Sequence, residues 1–374
     1  MAHPVLLLAT VETKADAVAY LRSALMDHGL SVVVVDISLG SGGEVWDGAR
    51  KLAAIEQAAR EAVTKIAEVT GERSAIVLGI GGGTGGDILL RIMRDLPVAT
   101  PKVLVTTLPF DPRPAVADDP IVLVPSVVDI EGLNPSLRDV FDRAAAMVSG
   151  LARHPCHAIG TQSVGVTALG VTKAAGIEIT RRLEAAGYEA TAFHANGYGG
   201  LAFTRYAREG AFVATIDMTV HEVTRLTVAG QCLAMPDRFT AAGHLPRVVL
   251  PGGLNFIGLG EIGSLPRQYL DRAHYQHSAH FTHVKMSPQE MERACAVLAE
   301  ALNEATAPTT VILPMGGFSS EDRPGGAIED PDLRTIAACA LESRAKAYET
   351  VRIDAHISAP ETAEKAVGVL LQSL

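Results

Sequence analysis

Strand-sized apolar runs recur along this chain at intervals too long for tight hairpins, and that spacing limits what the chain can fold into more than any other feature. Pro4–Ala9, Ser31–Ile37, Ser74–Ile80, Lys102–Thr107 and Ile121–Pro125 are short and rich in β-branched residues. Several are apolar throughout, and Ser31–Ile37 carries four consecutive valines. A strand with one face in water would alternate; a parallel strand covered on both faces need not. Thr13–His28, Asp47–Thr70 and Thr84–Asp95 read as helices between these runs, and Asn134–Ala152 as the helix that closes this half. The second half repeats the logic. Gln162–Thr167, Glu189–Phe193, Phe212–Ile216, Arg247–Leu250, Thr309–Leu313 and Thr350–Ile353 read as strands. Lys173–Ala186, Gly199–Glu209, Met218–Ala229, Pro288–Ala305, Pro331–Ser343 and Pro360–Leu371 read as helices. Strand, helix, strand in regular order predicts an α/β fold of two lobes, 1–152 and 153–374. Each lobe is expected to be a mostly parallel sheet with helices on both faces. The boundary is expected at Gly150–Pro155. Ligands of such sheets sit beyond the carboxyl ends of the strands, so a ligand cleft between the lobes is expected.

Composition fits this reading. The 374 residues suit roughly two domains. With 48% hydrophobic and 20% charged residues the chain can bury ordinary cores and does not read as disordered. No apolar run approaches the roughly 18 residues of a membrane-spanning helix. Met1-Ala2-His3-Pro4 leads straight into a strand without the flank of a signal peptide, so a cytoplasmic location is expected, with no membrane partner. The formal net charge of −10, from 42 acidic and 32 basic residues, gives no global footprint for nucleic acid. A nucleotide remains compatible, because phosphate sites use local backbone N–H groups. Cys156, Cys232, Cys295 and Cys339 lie far apart, which excludes a zinc-ribbon spacing and predicts reduced, mostly buried thiols.

Four glycine-rich turns follow predicted strands. The first, Gly79–Asp87, contains Gly81-Gly82-Gly83-Thr84-Gly85-Gly86 and opens a helix. Glycines let a ligand approach the backbone, and a helix amino end offers N–H groups to a phosphate or carboxylate. No Gly-Lys-Ser/Thr follows, so it is not a Walker A loop, and it follows the third strand where a dinucleotide fingerprint would follow the first. The second turn is His194-Ala195-Asn196-Gly197-Tyr198-Gly199-Gly200, with His194 either a proton-transfer group or a solvent-exposed turn residue. The third is Pro251-Gly252-Gly253-Leu254-Asn255; the fourth is Met315-Gly316-Gly317-Phe318, followed by Arg323–Gly326.

Other strand ends carry polar groups. Thr10–Lys14 supplies hydroxyls and a cation, Thr106-Thr107 ends a strand, and Ser126 and Asp129 occur together. Asp129 suits a metal, ribose or base, or an Asx turn. Asp217, Thr219 and Glu222 follow another strand, where capping and catalysis are equally open. Asp354-Ala355-His356 ends the last strand. His274, His277, His280 and His283 recur at spacing three, which drifts around a helix and alternates faces on a strand, so no metal ligand set is assigned to them. No nucleophile elbow supports acyl transfer. Asp36 ends the second strand, where a ribose-binding acid belongs, but Thr10–Lys14 lacks a nicotinamide-type fingerprint.

Several stretches carry a family resemblance in order along essentially the whole chain. They are Thr13-Lys14, Gly81–Gly86, Leu96–Val105 (LPVATPKVLV), Pro125–Asn134 (PSVVDIEGLN), Gly165-Val166-Thr167, Phe193–Gly200 (FHANGYGG), Asp217–Glu222, Pro324-Gly325-Gly326 and Asp354–Ile357 (DAHI). Together they resemble the ATP-binding domain family named after the tomato mosaic virus resistance protein. The resemblance implies two Rossmann-like lobes, a nucleotide in or near the interlobe cleft, and a homodimer. The plant protein carries a further barrel domain similar to phosphoenolpyruvate hydrolases; this chain is expected to lack it, and a separate barrel protein is an expected partner. The chain departs from the family pattern at Ser278, at Lys285-Met286-Ser287 and across Pro314–Glu321 (PMGGFSSE), which points to a different ligand at the second lobe.

The function expected is binding of ATP, with Mg²⁺ as its companion ion, by a protein acting alone as an enzyme or with a barrel subunit. Thr13, Lys14, Gly81, Gly82, Gly83, Thr84, Gly85 and Thr107 would receive phosphates, and Ser126 and Asp129 would orient the ligand. Gly165, Thr167, Gly197, Gly199, Gly200, Gly252 and Gly253 would close on it from the second lobe. His194, Asp217, Glu222 and His356 are the acid–base candidates. The rival reading is a metabolic enzyme acting on a small carboxylate or sugar acid without ATP. A third is a non-catalytic regulatory subunit.

Overall fold

The computed structural model describes residues 4–71, 74–107, 109, 111–154, 162–230 and 233–374. They divide into two compact units, 1–158 and 159–374. In the first, Val5–Ala9 (β1), Val32–Asp36 (β2), Ile76–Gly81 (β3), Lys102–Thr106 (β4) and Val122–Pro125 (β5) form one sheet. All its pairings are parallel and the order is β2-β1-β3-β4-β5. The crossovers contain Val11–Asp27 (α1), Gly48–Thr70 (α2) and Gly83–Asp95 (α3), and Pro135–Arg153 (α4) follows β5. Strand geometry sends successive side chains of β1 to opposite faces. Val5, Leu7 and Ala9 pack with Leu21 of α1 and Phe141 of α4. Leu6 and Leu8 pack with Ile55 of α2 and Leu89 of α3. Both faces are therefore core, which is why β1 is apolar at every position.

The second unit holds a six-stranded sheet and a three-stranded one. Ser163–Ala168 (β6), Glu189–His194 (β7), Ala214–Thr219 (β8) and Arg247–Gly252 (β9) come first. Phe256–Leu259 (β10), His274–Gln276 (β11) and Thr282–Lys285 (β12) follow, then Thr309–Pro314 (β13) and Glu349–Ile353 (β14). The large sheet runs β14-β13-β9-β8-β6-β7, parallel throughout. Its helices are Lys173–Ala185 (α5), Tyr198–Arg208 (α6), Glu222–Thr227 (α7), Arg267–Leu270 (α8), Pro288–Leu302 (α9), Pro331–Glu342 (α10) and Pro360–Gln372 (α11). α5 and α11 cover one face, α7, α9 and α10 the other. The α/β fold is thus two Rossmann-like units with mostly parallel sheets flanked by helices.

Two differences from the sequence reading matter for the site. The helix expected over Met218–Ala229 starts only at Glu222, because β8 continues to Thr219. Thr167 donates its hydroxyl to Asp217 at 2.6 Å and accepts the Thr219 N–H at 3.0 Å, which keeps this stretch extended beside β6. The small antiparallel sheet β10-β12-β11 was not expected at all. Of the thiols, Cys156 and Cys232 lie outside the described residues. Cys295 is buried, with burial pushing its thiol up to about 12, whereas Cys339 is exposed. Among the described residues no helix is long and apolar enough to cross a membrane.

A buried ion pair locks the far edge of the first sheet. Lys102, at the start of β4, reaches Asp119 at 2.6 Å and the Pro97 carbonyl at 2.9 Å, with both charged side chains fully buried. Removing one member of such a pair strands the other charge, typically at about 3–5 kcal/mol. Lys102→Met is expected to lower the unfolding free energy of the first unit by an amount of that order, read as a lower urea midpoint, and Lys102→Met combined with Asp119→Leu is expected to recover most of it. Equal midpoints for the single and double variants would contradict this account.

Candidate functional site

The order second, first, third places a switch point between β1 and β3, where chain connections leave in opposite directions and a crevice opens beyond the strand ends. A cavity of about 520 Å³ lies there. All its walls come from the first unit: Thr10–Lys14 after β1, the Ser38–Trp46 loop after β2, Lys51 of α2, the Gly82–Gly85 start of α3, and Asp129 after β5. Thr13, Lys14, Gly82, Gly83, Thr84, Gly85 and Asp129 are thereby brought together. Lys14 breaks the helical backbone of α1 (φ −133°, ψ 26°) and donates from Nζ to the Ile130 carbonyl at 2.8 Å. The amino end of α3 has no side-chain cap. Among the described residues, a Cβ at Gly83 would meet only Pro109, at 3.7 Å, and one at Gly82 would approach Thr107 Oγ1 at 3.8 Å and Asp129 Oδ1 at 4.0 Å.

Three neighbouring residues serve the fold. A Cβ on Gly81 would strike the Gly85 and Gly86 backbone at 2.6 and 2.7 Å, so this glycine lets α3 pack on β3. Ser126 is buried and donates to the Val128 carbonyl at 2.6 Å, shaping the turn after β5 without lining the cavity. Burial would raise the Asp36 carboxyl. Hydrogen bonds from the Ser38 hydroxyl and amide and from the Val11 N–H instead bring it below its ordinary value. Asp36 is thus engaged by its own loop.

The second unit has its own switch point, between β6 and β8, since its order also runs second, first, third. A smaller cavity of about 170 Å³ lies there, lined by Leu169–Val171, His194, Asn196, His221, Arg225, Phe256, His277, Phe281 and His283. Four rings stack along it. His221 lies on Phe256 at 4.4 Å, Phe256 on His283 at 4.1 Å, and His283 on His277 at 4.8 Å. His221 Nδ1 pairs with the Gly253 carbonyl at 2.9 Å, so Nδ1 carries the proton and Nε2 accepts from Arg225 at 3.3 Å. Burial, with Arg225 and His283 nearby, pushes His221 down to about 3. Burial, with His277 and Arg225, does the same to His283. Both rings are neutral at ordinary pH.

Of the four acid–base candidates, His194 alone borders this cavity, and it is exposed. Asp217 and Glu222 do not line it. Both are buried against Arg238, which holds Asp217 through Nη1 at 2.7 Å and Nη2 at 2.9 Å and Glu222 through Nε at 2.5 Å. Burial works against the guanidinium charge, but the two carboxylates outweigh it and hold Arg238 protonated above its ordinary value. Glu222 also accepts the Gly197 N–H at 2.7 Å, and Thr167 completes the network through Asp217. His356 does not line the cavity either; its Nε2 pairs with the Ser319 carbonyl at 2.9 Å and its Nδ1 accepts the Ser358 N–H at 3.0 Å. Both nitrogens are spent on backbone.

Four of the second-unit glycines have neighbours that leave no room for a side chain. A Cβ on Gly165 would enter the Phe212 and Phe203 rings, one on Gly199 the His194 carbonyl, one on Gly200 the Glu222 carboxylate, and one on Gly252 the Met218 carbonyl. Gly197 (φ +113°) and Gly253 (φ +69°) take backbone conformations that side chains disfavour, and they aim the amide at Glu222 and the carbonyl at His221. Sequence reasoning passed over Arg238, Arg225, His221 and Phe256. For His221 the strand-end position was the one available signal.

The class defined by this geometry is a pair of doubly wound α/β units, each with a cavity at its switch point. Residues 41–157 match the N-terminal domain, and residues 161–374 the C-terminal domain, of the uncharacterised protein family UPF0261. The chain belongs to that family. It is 32% identical to a UPF0261 protein of Rhizobium meliloti (strain 1021), over 96% of each chain. A UPF0261 protein of Brucella suis biovar 1 is 28% identical over 98% of this chain and 94% of its own length. The ToMV susceptible protein tm-1 of Solanum lycopersicum is 31% identical over 83% of this chain but only 43% of its own length. The resemblance to the tomato resistance-protein family is thereby shown.

Two expectations follow from the buried groups. Arg238→Met strands two carboxylates, so the second unit is expected to lose at least about 3–5 kcal/mol in urea unfolding; an unchanged midpoint would remove Arg238 from its central place. His221 stays neutral in the fold down to about pH 3, whereas in the unfolded chain it takes up a proton below about pH 6.5. Stability of the second unit is therefore present above pH 6.5 and falls on acidification towards pH 3. His221→Gln is expected to show a smaller drop in urea midpoint between pH 7 and pH 5 than the parent chain.

Proposed function

We propose that this protein binds a nucleotide, ATP with Mg²⁺, in the switch-point cavity of its first unit. The observation that supports this most is the uncapped amino end of α3, Gly83-Thr84-Gly85, in the wall of a cavity of about 520 Å³. That volume suits a small-molecule ligand, and amides at a helix amino end favour phosphate. Lys14 spends one of its three donors on Ile130, and Lys51 lines the same cavity. Glu12, Glu44 and Asp129 line it too. Against these carboxylates a bare polyphosphate is repelled, whereas a polyphosphate carrying Mg²⁺ brings the missing positive charge. Trp46 also lines the cavity, with its Nε1–H on Glu44 at 2.8 Å and the Arg50 guanidinium 4.4 Å from its ring. It offers a stacking partner for the base.

The homodimer and the separate barrel partner belong to the same reading. The tomato relative matches over only 43% of its own length, which leaves room in that protein for a further domain.

Calorimetric titration with ATP and Mg²⁺, ADP, AMP and NAD in parallel tests the reading. ATP is expected to bind in the micromolar range, and Gly83→Val is expected to abolish binding. The fold should survive, because the added Cβ makes an ordinary contact with Pro109 at 3.7 Å. No nucleotide binding, or unchanged affinity in a folded Gly83→Val, would overturn it.

A further inference from the structure

The histidine-bearing hairpin of the second unit takes no part in the function proposed above. In its register Tyr275 sits opposite His283 and Gln276 opposite Thr282. His277 and His283 are therefore diagonal neighbours on one face of the hairpin. Phe256 stacks on His283 at 4.1 Å and fixes its ring. Glu321, in the loop between β13 and α10, reaches the same place: one ligand atom from each of His277, His283 and Glu321 lies within 4.8 Å of the others. His283 Nδ1 and Glu321 Oε2 face each other at 4.0 Å, too far for a hydrogen bond, and their side chains are each 10% exposed. Both atoms are buried without a hydrogen-bond partner among the described residues. A buried polar atom of this kind calls for a physical account, and two that face each other share one solution, a cation held between them.

We propose that His277, His283 and Glu321 form a binding site for a divalent transition-metal ion, with zinc(II) the best match to the ligands. Two imidazoles and one carboxylate are a donor set that zinc and its first-row neighbours accept. Bonds of about 2.1 Å place neighbouring ligand atoms about 3.4 Å apart around a tetrahedral ion, so the three groups close slightly on it. The ring of His277, parallel to His283 within 16°, turns to aim its nitrogen, and its exposure leaves it room to do so. Three protein ligands leave a fourth position for water or for an oxygen donor of a small molecule. His277 and His283 also line the cavity of about 170 Å³, through which such a molecule would arrive.

The test uses the full chain, stripped with chelator and titrated without nucleotide. Zinc uptake is followed by calorimetry and cobalt(II) uptake by visible absorption. One equivalent per chain is expected, with a cobalt spectrum of imidazole and carboxylate ligation. His277→Ala and Glu321→Gln are each expected to weaken affinity at least tenfold, while His274→Ala and His280→Ala leave it unchanged. His277 is exposed, so its variant keeps the fold even if a substitution at the buried His283 does not. Absence of stoichiometric uptake would overturn the proposal. So would uptake that survives His277→Ala and Glu321→Gln, because the ion would then sit elsewhere, as on the acidic wall of the first unit.

Discussion

Parallel strand pairing is the constraint on which both units rest. Parallel neighbours cannot be joined by a tight turn, so each connection crosses over through a helix and covers a face of the sheet. The strands then lose contact with water on both sides, and β1, β3 and β4 are buried at every position. The same pairing gathers all carboxyl ends at one edge. In each unit the first strand sits inside the sheet with the second on one side and the third on the other. Chain connections therefore part at β1/β3 and at β6/β8, and a cavity opens at each.

Once polar groups are drawn into such an edge, they must be paired. The second unit solves this with one cation. Arg238 is fully buried, joins the strand-end Asp217 to the helix-start Glu222, and through them holds Thr167 and the Gly197 amide. A guanidinium suits this work because its fork donates in a plane to two carboxylates at once. Its charge survives burial because two carboxylates face it. The carboxylates in turn are engaged by the guanidinium, by the Thr167 hydroxyl and by the Gly197 amide. A strand-end acid is thus no guide to catalysis until its partners are known.

The sequence carried the inner strands of the large sheets because burial on both faces writes itself as continuous apolar runs, whereas the edge strands β7 and β14, with no buried position, were marked by β-branched and aromatic residues between helical stretches. All eleven strands of the two parallel sheets lie on runs such as Pro4–Ala9 or Thr309–Leu313, and the glycines of Gly82–Gly85 marked the cavity of the first unit. What stayed hidden depends on distant pairing. β10, β11 and β12 have four, three and four residues, too few for a periodic signal. Spacing along one element assigned His277 and His283 to no ligand set. A hairpin register, which no single-element periodicity contains, places them together. Gly165 and Gly199 looked like ligand-approach glycines, yet they make room for Phe212 and for the His194 carbonyl. Local composition reads the same in both cases; the neighbour that fills the space decides.

The two switch points show how far topology goes and where it stops. Both arise from the same strand order, and either could receive a ligand. At the first, the loop after β1 and the start of α3 leave open space lined by glycine amides, two lysines and three carboxylates. At the second, an imidazole and phenyl stack occupies the edge, and burial keeps His221 and His283 neutral. The first wall suits a charged ligand that brings its own counterion. The second offers imidazole nitrogens beside the Arg225 guanidinium, with the Glu321 carboxylate next to His277 and His283. One strand order thus yields two differently lined cavities in one chain, and function has to be argued from each wall separately.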